Sequence, residues 1–277
     1  GGLELGANRR GGKKSSQRGR KLGSRIGLPF RREKETRVIR ITDDGIGMGP
    51  EDLALAIERH ATSKLPTGDL EHVSTLGFRG EALPSIGSVA RLTIASRARG
   101  SEDAWSLLVE GGNAAPLAPA SMSEGTLVEV RDLFYAVPAR LKFLKSARSE
   151  INAVVDMIER IAMAHPDIRF RLSHDGRALR DFPALTRDFL DAAPERIEKI
   201  IGSGFAANIA AVNMEREGIR LTGFAGLPTY HKATSAAQYL YVNRRPVRDR
   251  LLLGVIRAAY QDYLARDRHP VAVLFVE

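Results

Sequence analysis

Three short segments hold residue types able to act on a ligand. Asp43-Asp44-Gly45-Ile46-Gly47-Met48 sets carboxylates beside two glycines. A carboxylate accepts hydrogen bonds and glycines let a ligand approach the backbone, so the segment suits an exocyclic amine such as that of adenine. The same residues also describe an ordinary Asp-Gly turn. His60-Ala61-Thr62-Ser63-Lys64 joins two hydroxyls to an ammonium. That set suits phosphate oxygens, and equally suits a solvated helix end, where a cation is favoured without any ligand. His60 has no partner at metal-ligand spacing and reads as a helix-face histidine. Gly77-Phe78-Arg79-Gly80-Glu81-Ala82-Leu83 is a glycine loop ahead of a helix start, whose N–H groups can converge on an anion with the helix dipole behind them. It lacks the Gly-Lys-Ser/Thr ending of a Walker loop, and a flexible loop with a helix cap also accounts for it.

These segments need a scaffold. Residues 37–42 read as a strand ending at the Asp43-Asp44-Gly45 turn. Pro50, Glu51 and Asp52 suit the first turn of a helix whose inner face continues through Leu53, Ile57 and His60. A second helix is expected from about Glu81, just after Gly80, with Pro84 tolerated in its first turn. Strand-like runs follow at residues 91–96, 105–109 and 126–130. Ser149 is expected to cap a helix with Ile151, Val154, Val155, Ile158 and Ile161 on one face, stopped by Pro166. Residues 168–172 and 178–180 flank His174-Asp175-Gly176 as a hairpin. Further strands are expected at 219–224, 238–243 and 271–276, with a helix between the last two burying Leu251, Leu252, Val255, Ile256, Ala259, Tyr260 and Tyr263. Both halves mix helices with hairpins, which points to an α+β class. A boundary is expected near residues 180–200, where Pro183 and Pro194 interrupt, giving domains at 33–185 and 186–277 behind a distinct segment 1–32.

The chain has 277 residues, long enough for two domains. No apolar run approaches the roughly 20 residues that span a bilayer, so no membrane partner is expected, and no segment reads as a signal peptide. The chain contains no cysteine, which excludes disulfides, thiolate zinc sites and cysteine nucleophiles from this sequence. A net charge of +9 suggests a polyanionic partner such as nucleic acid. That charge is uneven: residues 1–32 carry ten basic residues against Glu4 alone, and residues 33–277 carry 32 of each sign. Segment 1–32 is rich in Gly, Ser, Arg and Lys with no period of 2 or 3.6, and is expected to be a disordered or loosely docked basic tail, with a nucleic-acid arm as the alternative.

Taken in order, the segments resemble the N-terminal ATPase region of the MutL family of DNA mismatch repair proteins. That family lies within the GHKL class, which also holds gyrase B, the chaperone Hsp-ninety and histidine kinases. The matching residues are Asp43 to Met48, Arg59-His60-Ala61-Thr62-Ser63-Lys64-Leu65, residues 76–83 with Ser85-Ile86, and Gly125-Thr126-Leu127-Val128-Glu129-Val130. They continue through Asp132-Leu133-Phe134-Tyr135-Ala136-Val137-Pro138-Ala139-Arg140-Leu141-Lys142-Phe143-Leu144-Lys145 and Tyr241-Val242-Asn243-Arg244-Arg245-Pro246-Val247-Arg248-Asp249. The resemblance covers residues 37–277, and its Gly-Phe-Arg-Gly-Glu-Ala-Leu and Pro-Ala-Arg-Leu-Lys-Phe-Leu signatures are specific to MutL-like proteins within the class. It implies a GHKL-type ATP-binding α/β sandwich followed by a transducer domain resembling ribosomal protein S-five. It implies that Asp43 hydrogen-bonds the adenine amine, Gly47 shapes the pocket and Thr126 lies near the base. Thr62, Ser63 and Lys64 would lie in or beside a mobile lid, and Gly77, Phe78, Arg79, Gly80 and Glu81 would wrap the phosphates. The implied cofactors are ATP and magnesium. The implied partners are DNA, a MutS-type mismatch recognition protein, a downstream endonuclease or helicase, and a second copy of the chain on ATP binding, in the cytoplasm at the nucleoid.

The chain also departs from the family. The family opens with a helix carrying a glutamate that activates the attacking water and an asparagine that binds magnesium. Residues 1–32 offer only Glu4 and Asn8 for these roles, and Gly6 weakens a helix there. Without a general base, hydrolysis would slow by about 10² to 10⁴. The family's γ-phosphate-contacting lysine falls beyond Glu277. The expectation is a fragment impaired in hydrolysis, its first 32 residues derived from a shifted reading frame or a fusion. Two rival readings are a non-catalytic DNA- or partner-binding module and another GHKL ATPase such as a type II topoisomerase subunit. Arg131, Arg140, Lys142, Lys145 and Arg148, and separately Arg244, Arg245, Arg248 and Arg250, are candidate DNA-facing clusters or solvated charge balanced by nearby acids.

Overall fold

The computed structural model describes residues 3–6, 25–27, 38–58, 80–186 and 189–277. The chain divides into two compact units, residues 1–155 with 168–184 and residues 156–167 with 185–277.

The first unit is built on a ten-stranded sheet. Its strands are β1 (Leu3–Gly6), β2 (Arg25–Gly27), β3 (Val38–Asp43), β4 (Arg91–Arg97), β5 (Ala104–Glu110), β6 (Asn113–Ala114), β7 (Ala118–Ala120), β8 (Gly125–Arg131), β9 (Phe170–His174) and β10 (Arg177–Phe182). They run in the order β10-β9-β2-β3-β8-β4-β5-β6, with β1 also paired to β3 and β7 to β5. The helices α1 (Pro50–Leu55) and α2 (Ala82–Val89) belong to this unit. Pro50 opens α1, and Glu51 and Asp52 occupy its positive first turn. Leu53 of α1 is fully buried in a cluster with Ala90, Leu92, Ile94, Leu107, Val109 and Val130, and Leu83 and Ile86 of α2 pack against the same cluster. One face of the sheet is thus covered by both helices, as its alternating apolar residues require. The β9–β10 hairpin turns at Asp175 (φ 50°) and Gly176 (φ 75°), the positive-φ pair that suits strand twist.

Helix α3 (Ala147–Ala164) begins in the first unit and ends in the second. Its N-terminus departs from expectation. The Ser149 amide donates to Ser146 Oγ at 3.3 Å, and the Lys145 amide donates to Glu150 Oε1 at 2.8 Å. Ser146 therefore caps the helix, which starts two residues before Ser149, because its hydroxyl takes the amide that the first turn leaves without a partner.

The second unit holds α4 (Phe189–Ile201), α5 (Arg250–Ala259) and strands β11 (Ile209–Arg216), β12 (Ile219–Gly226), β13 (His231–Lys232), β14 (Gln238–Val242), β15 (Arg245–Val247), β16 (His269–Pro270) and β17 (Ala272–Val276). The five-stranded sheet β11-β12-β17-β14-β15 is mixed, with β14 parallel to β17. The period of two sorts its side chains. Tyr239 and Tyr241 of β14 and Val273 and Phe275 of β17 join Met163, Ala164, Ala193 and Ile197 from α3 and α4. Leu240 and Ala272, on the opposite face, join Ile256 of α5.

Two expectations fail here for identifiable reasons. Pro194 does not interrupt: it lies inside α4, whose Ala192, Ala193 and Ile197 are fully buried, so packing overrides the lost backbone hydrogen bond. Helix α5 buries only a narrow stripe, Ile256 with Leu252, Leu253 and Tyr260 partly covered, while Leu251, Val255, Ala259 and Tyr263 face solvent. A helix apolar around most of its circumference does not declare which stripe faces the sheet.

Arg196 is the largest fully buried side chain of the second unit. Its Nη1 and Nη2 donate to the carbonyls of Ala162 and Pro166, both at 3.0 Å, which closes the end of α3. Burial brings its pKa down to about 10, so the guanidinium stays charged at neutral pH. Tyr241 stacks on Phe275 at 4.5 Å and donates its hydroxyl proton to the Arg160 carbonyl at 2.9 Å.

Candidate nucleotide site

Three adjacent strands bring two of the expected base-site residues, Asp43 and Thr126, into one row with Ser96. In the β3–β8 pairing Asp43 stands opposite Thr126, and in the β4–β8 pairing Thr126 stands opposite Ser96. Asp43, Thr126 and Ser96 therefore lie side by side across the sheet. Asp43 ends its strand in a turn of its own making: its Oδ1 accepts the Gly45 amide proton at 2.9 Å.

Ser96 is the hub of the row and was not legible as such in the sequence. Fully buried, it accepts the Met48 amide proton at 2.8 Å, donates to the Gly125 carbonyl at 2.9 Å and lies 3.0 Å from Thr126 Oγ1. A serine hydroxyl has one proton. With that proton on the Gly125 carbonyl, the contact with Thr126 requires Thr126 to donate. The Thr126 hydroxyl then offers only lone pairs to anything else, and beside it stands the Asp43 carboxylate. The row is an acceptor surface, the complement of an amine.

Two glycines allow this closeness. Gly47 has φ +67°, and a Cβ there would stand 1.9 Å from the Arg97 carbonyl oxygen. Gly125 has φ +119°, and its Cβ would stand 2.0 Å from the Asp43 carbonyl oxygen. Both obstacles are backbone, so neither site admits a side chain. The Arg99 amide, donating to the Ile46 carbonyl at 2.8 Å, pins the same loop.

Behind the row, Glu129 is buried on β8 between two arginines. Arg40 Nε donates to its carboxylate at 3.0 Å and Arg131 Nε at 2.6 Å. Burial pushes the Glu129 pKa up, but the hydrogen bonds and charges of Arg40 and Arg131 outweigh it and hold the carboxyl below its ordinary value.

Of the phosphate-loop residues, Gly80 takes φ +60° and Glu81 sits at the start of α2, its carbonyl accepting the Ser85 amide at 3.0 Å. Thr62, Ser63, Lys64, Gly77, Phe78 and Arg79 lie outside the described residues, as does Asn8. Glu4 lies in β1, opposite Arg40 in a parallel pairing. Among the described residues no group of three or more His, Asp or Glu side chains could hold a metal ion. Part of the expected basic surface is balanced by acids: Arg131 pairs with Glu129, Arg244 with Glu277 at 3.3 Å and Arg248 with Asp156 at 2.6 Å.

The chain is similar to known proteins. The DNA mismatch repair protein MutL of Paramagnetospirillum magneticum is 60% identical over 240 residues, 87% of this chain and 40% of that protein. MutL of Rhodospirillum rubrum is 56% identical over 254 residues, 92% of this chain and 40% of that protein. The chain belongs to the MutL family. It spans 40% of the length of these curated relatives. The family model described as DNA mismatch repair protein, C-terminal domain, matches residues 197–277, within the second unit. Among solved structures, the Aquifex aeolicus MutL ATPase domain complexed with ADP aligns with a TM-score of 0.61 and 28% identity, covering 87% of this chain and 80% of that one. The N-terminal domain of a DNA repair protein shares the fold, with a TM-score of 0.69, 24% identity and coverage of 87% and 74%. The two units are thus the MutL form of the GHKL ATP-binding sandwich and the S-five-like transducer domain, an α+β architecture.

Proposed function

We propose that the chain is the nucleotide-binding part of a MutL-type mismatch repair ATPase, with adenine seated on the row Asp43–Thr126–Ser96. The observation that carries this reading is the acceptor surface of that row. The carboxylate of Asp43 accepts from the exocyclic amine, Thr126 offers a second acceptor beside it, and Ser96 holds Thr126 and the Met48 amide in place. Gly47 keeps the loop close enough to wall the pocket. Gly80 and Glu81 open α2, whose N-terminal amides would face phosphate oxygens. Thr62, Ser63, Lys64, Gly77, Phe78 and Arg79 take the remaining phosphate and lid roles in this reading, and magnesium, when bound, neutralises phosphate charge. The ADP held by the Aquifex MutL ATPase domain supports the nucleotide class. The wider proposal follows the family: a cytoplasmic, ATP-gated homodimer acting on DNA with a MutS-type mismatch recognition protein and a downstream endonuclease or helicase.

Isothermal titration with ADP and ATP tests the site. Asp43→Asn puts an amide where the carboxylate stood, and loss of a charged hydrogen bond of about 1.5–3 kcal/mol weakens binding roughly 10- to 100-fold. Unchanged affinity in a variant with wild-type circular dichroism would remove the adenine assignment.

A further inference from the structure

A serine hydroxyl carries one proton and two lone pairs, and the structure uses all of them at Ser96. Its proton goes to the Gly125 carbonyl at 2.9 Å, and one lone pair takes the Met48 amide at 2.8 Å. The other lone pair is left for Thr126 Oγ1 at 3.0 Å. Two of these partners are backbone groups of fixed polarity, since an amide only donates and a carbonyl only accepts. Both are also held in place. Gly125 belongs to β8 and pairs with Arg97 of β4, and Met48 follows the loop that the Arg99 amide pins through the Ile46 carbonyl at 2.8 Å. Turning the Ser96 proton towards Thr126 would take this partner from the carbonyl of a buried residue, a penalty equivalent to about 5- to 150-fold in population.

Ser96 is fully buried and has no surface to offer a ligand. Thr126 is half-buried and stands opposite Ser96 on one side and Asp43 on the other. The polarity of the hidden serine is therefore expressed through the threonine, which spends its proton inward and keeps only lone pairs for a ligand. We infer that Ser96 is a positioning residue that sets base selectivity: acting through Thr126, it makes the row accept an amino-purine and reject an oxo-purine. Adenine brings an exocyclic donor to the row. Hypoxanthine brings an exocyclic acceptor, which would set lone pair against lone pair at both Thr126 and Asp43. A Thr126 hydroxyl released from Ser96 would rotate to serve either base, leaving the Asp43 carboxylate to discriminate alone. The inference rests on the proposed seat of adenine on this row and names what that seat excludes.

Isothermal titration of the whole chain with ADP and with inosine diphosphate, which share sugar and phosphates, gives the selectivity as a ratio of dissociation constants. A loss common to both ligands, such as a loosened pocket, cancels in that ratio. Wild type is expected to favour ADP by at least about 100-fold. Ser96→Ala is expected to narrow the ratio at least about fivefold, and Thr126→Val to narrow it as well. Ser96→Ala added to Thr126→Val is expected to change the ratio less than about twofold further, because both act through one hydroxyl. Ser96→Cys, whose sulfur accepts only weakly, is expected to give an intermediate ratio and stands in where the alanine variant does not fold. An unchanged ratio in the Ser96 variants or in Thr126→Val overturns the inference, as does a Ser96 effect that persists in the Thr126→Val background. Equal wild-type affinity for the two nucleotides overturns it too, while ADP binding that Asp43→Asn weakens keeps the proposed function. A wild-type chain that does not bind ADP overturns both.

Discussion

The Ser96 hydroxyl lies 3.0 Å from the Thr126 hydroxyl while also holding the Met48 amide at 2.8 Å, so one buried oxygen couples β4, β8 and the loop after β3. Ser96→Ala leaves the Met48 amide and the Gly125 carbonyl without that partner. The expected loss is about 1–3 kcal/mol of stability by urea titration. Nucleotide affinity is expected to fall with it, because Thr126 loses its acceptor and rotates.

The two glycine environments give a matched pair of variants. Gly47→Ala forces a Cβ to 1.9 Å from the Arg97 carbonyl oxygen, whereas Gly100, at φ +77°, has nothing within 4 Å of its Cβ position. Gly100→Ala carries only the left-handed backbone penalty of about 1–2 kcal/mol. Gly47→Ala is expected to exceed about 3 kcal/mol and to abolish nucleotide binding, with thermal melting and titration as the readouts.

Glu129 sets an acid limit for the first unit. Its pKa is lower folded than its ordinary value of 4.5, so its contribution is present above that value and is lost as pH falls through the folded pKa. Wild-type stability is expected to drop on acidification below about pH 4.5 more steeply than that of Glu129→Gln. At neutral pH the variant is expected to be less stable by about 1 kcal/mol, since Arg40 and Arg131 lose their shared counter-charge but remain about half exposed to solvent. Denaturant titrations from pH 3 to pH 7 check both.

Glu4 lies in a strand, opposite Arg40. If it does not activate water, Glu4→Gln changes ATP turnover by less than about threefold, whereas loss of a working general base costs about 10² to 10⁴. A steady-state phosphate-release assay separates the two.

Much of this was legible residue by residue. Asp43 and Gly47 stood out as a carboxylate and glycine at a strand end, a pattern an ordinary turn shares, and Thr126 entered only through the family resemblance; the structure sets Asp43 opposite Thr126 and Gly47 against the Arg97 carbonyl. The Asp175-Gly176 turn was readable because positive φ selects those residues. Ser96 was invisible for the opposite reason: nothing local marks a serine in an apolar strand, and its three partners come from residues 48, 125 and 126. The exposed side of α5 and the continuity of α4 through Pro194 were likewise set by neighbours distant in sequence. Ser146 displaced Ser149 as a cap because two serines three apart are equivalent until the backbone chooses between them.

The bare-backbone contacts at Gly47 and Gly125 have a mechanical consequence. Where a side chain separates two strands it can rotate and absorb displacement; where carbonyl oxygen meets Cα directly there is nothing to compress. The backbone around Asp43 and Thr126 is therefore a hard stop rather than a spring, and in the proposed reading a nucleotide pressing on it would have its change of shape taken up by other parts of the chain.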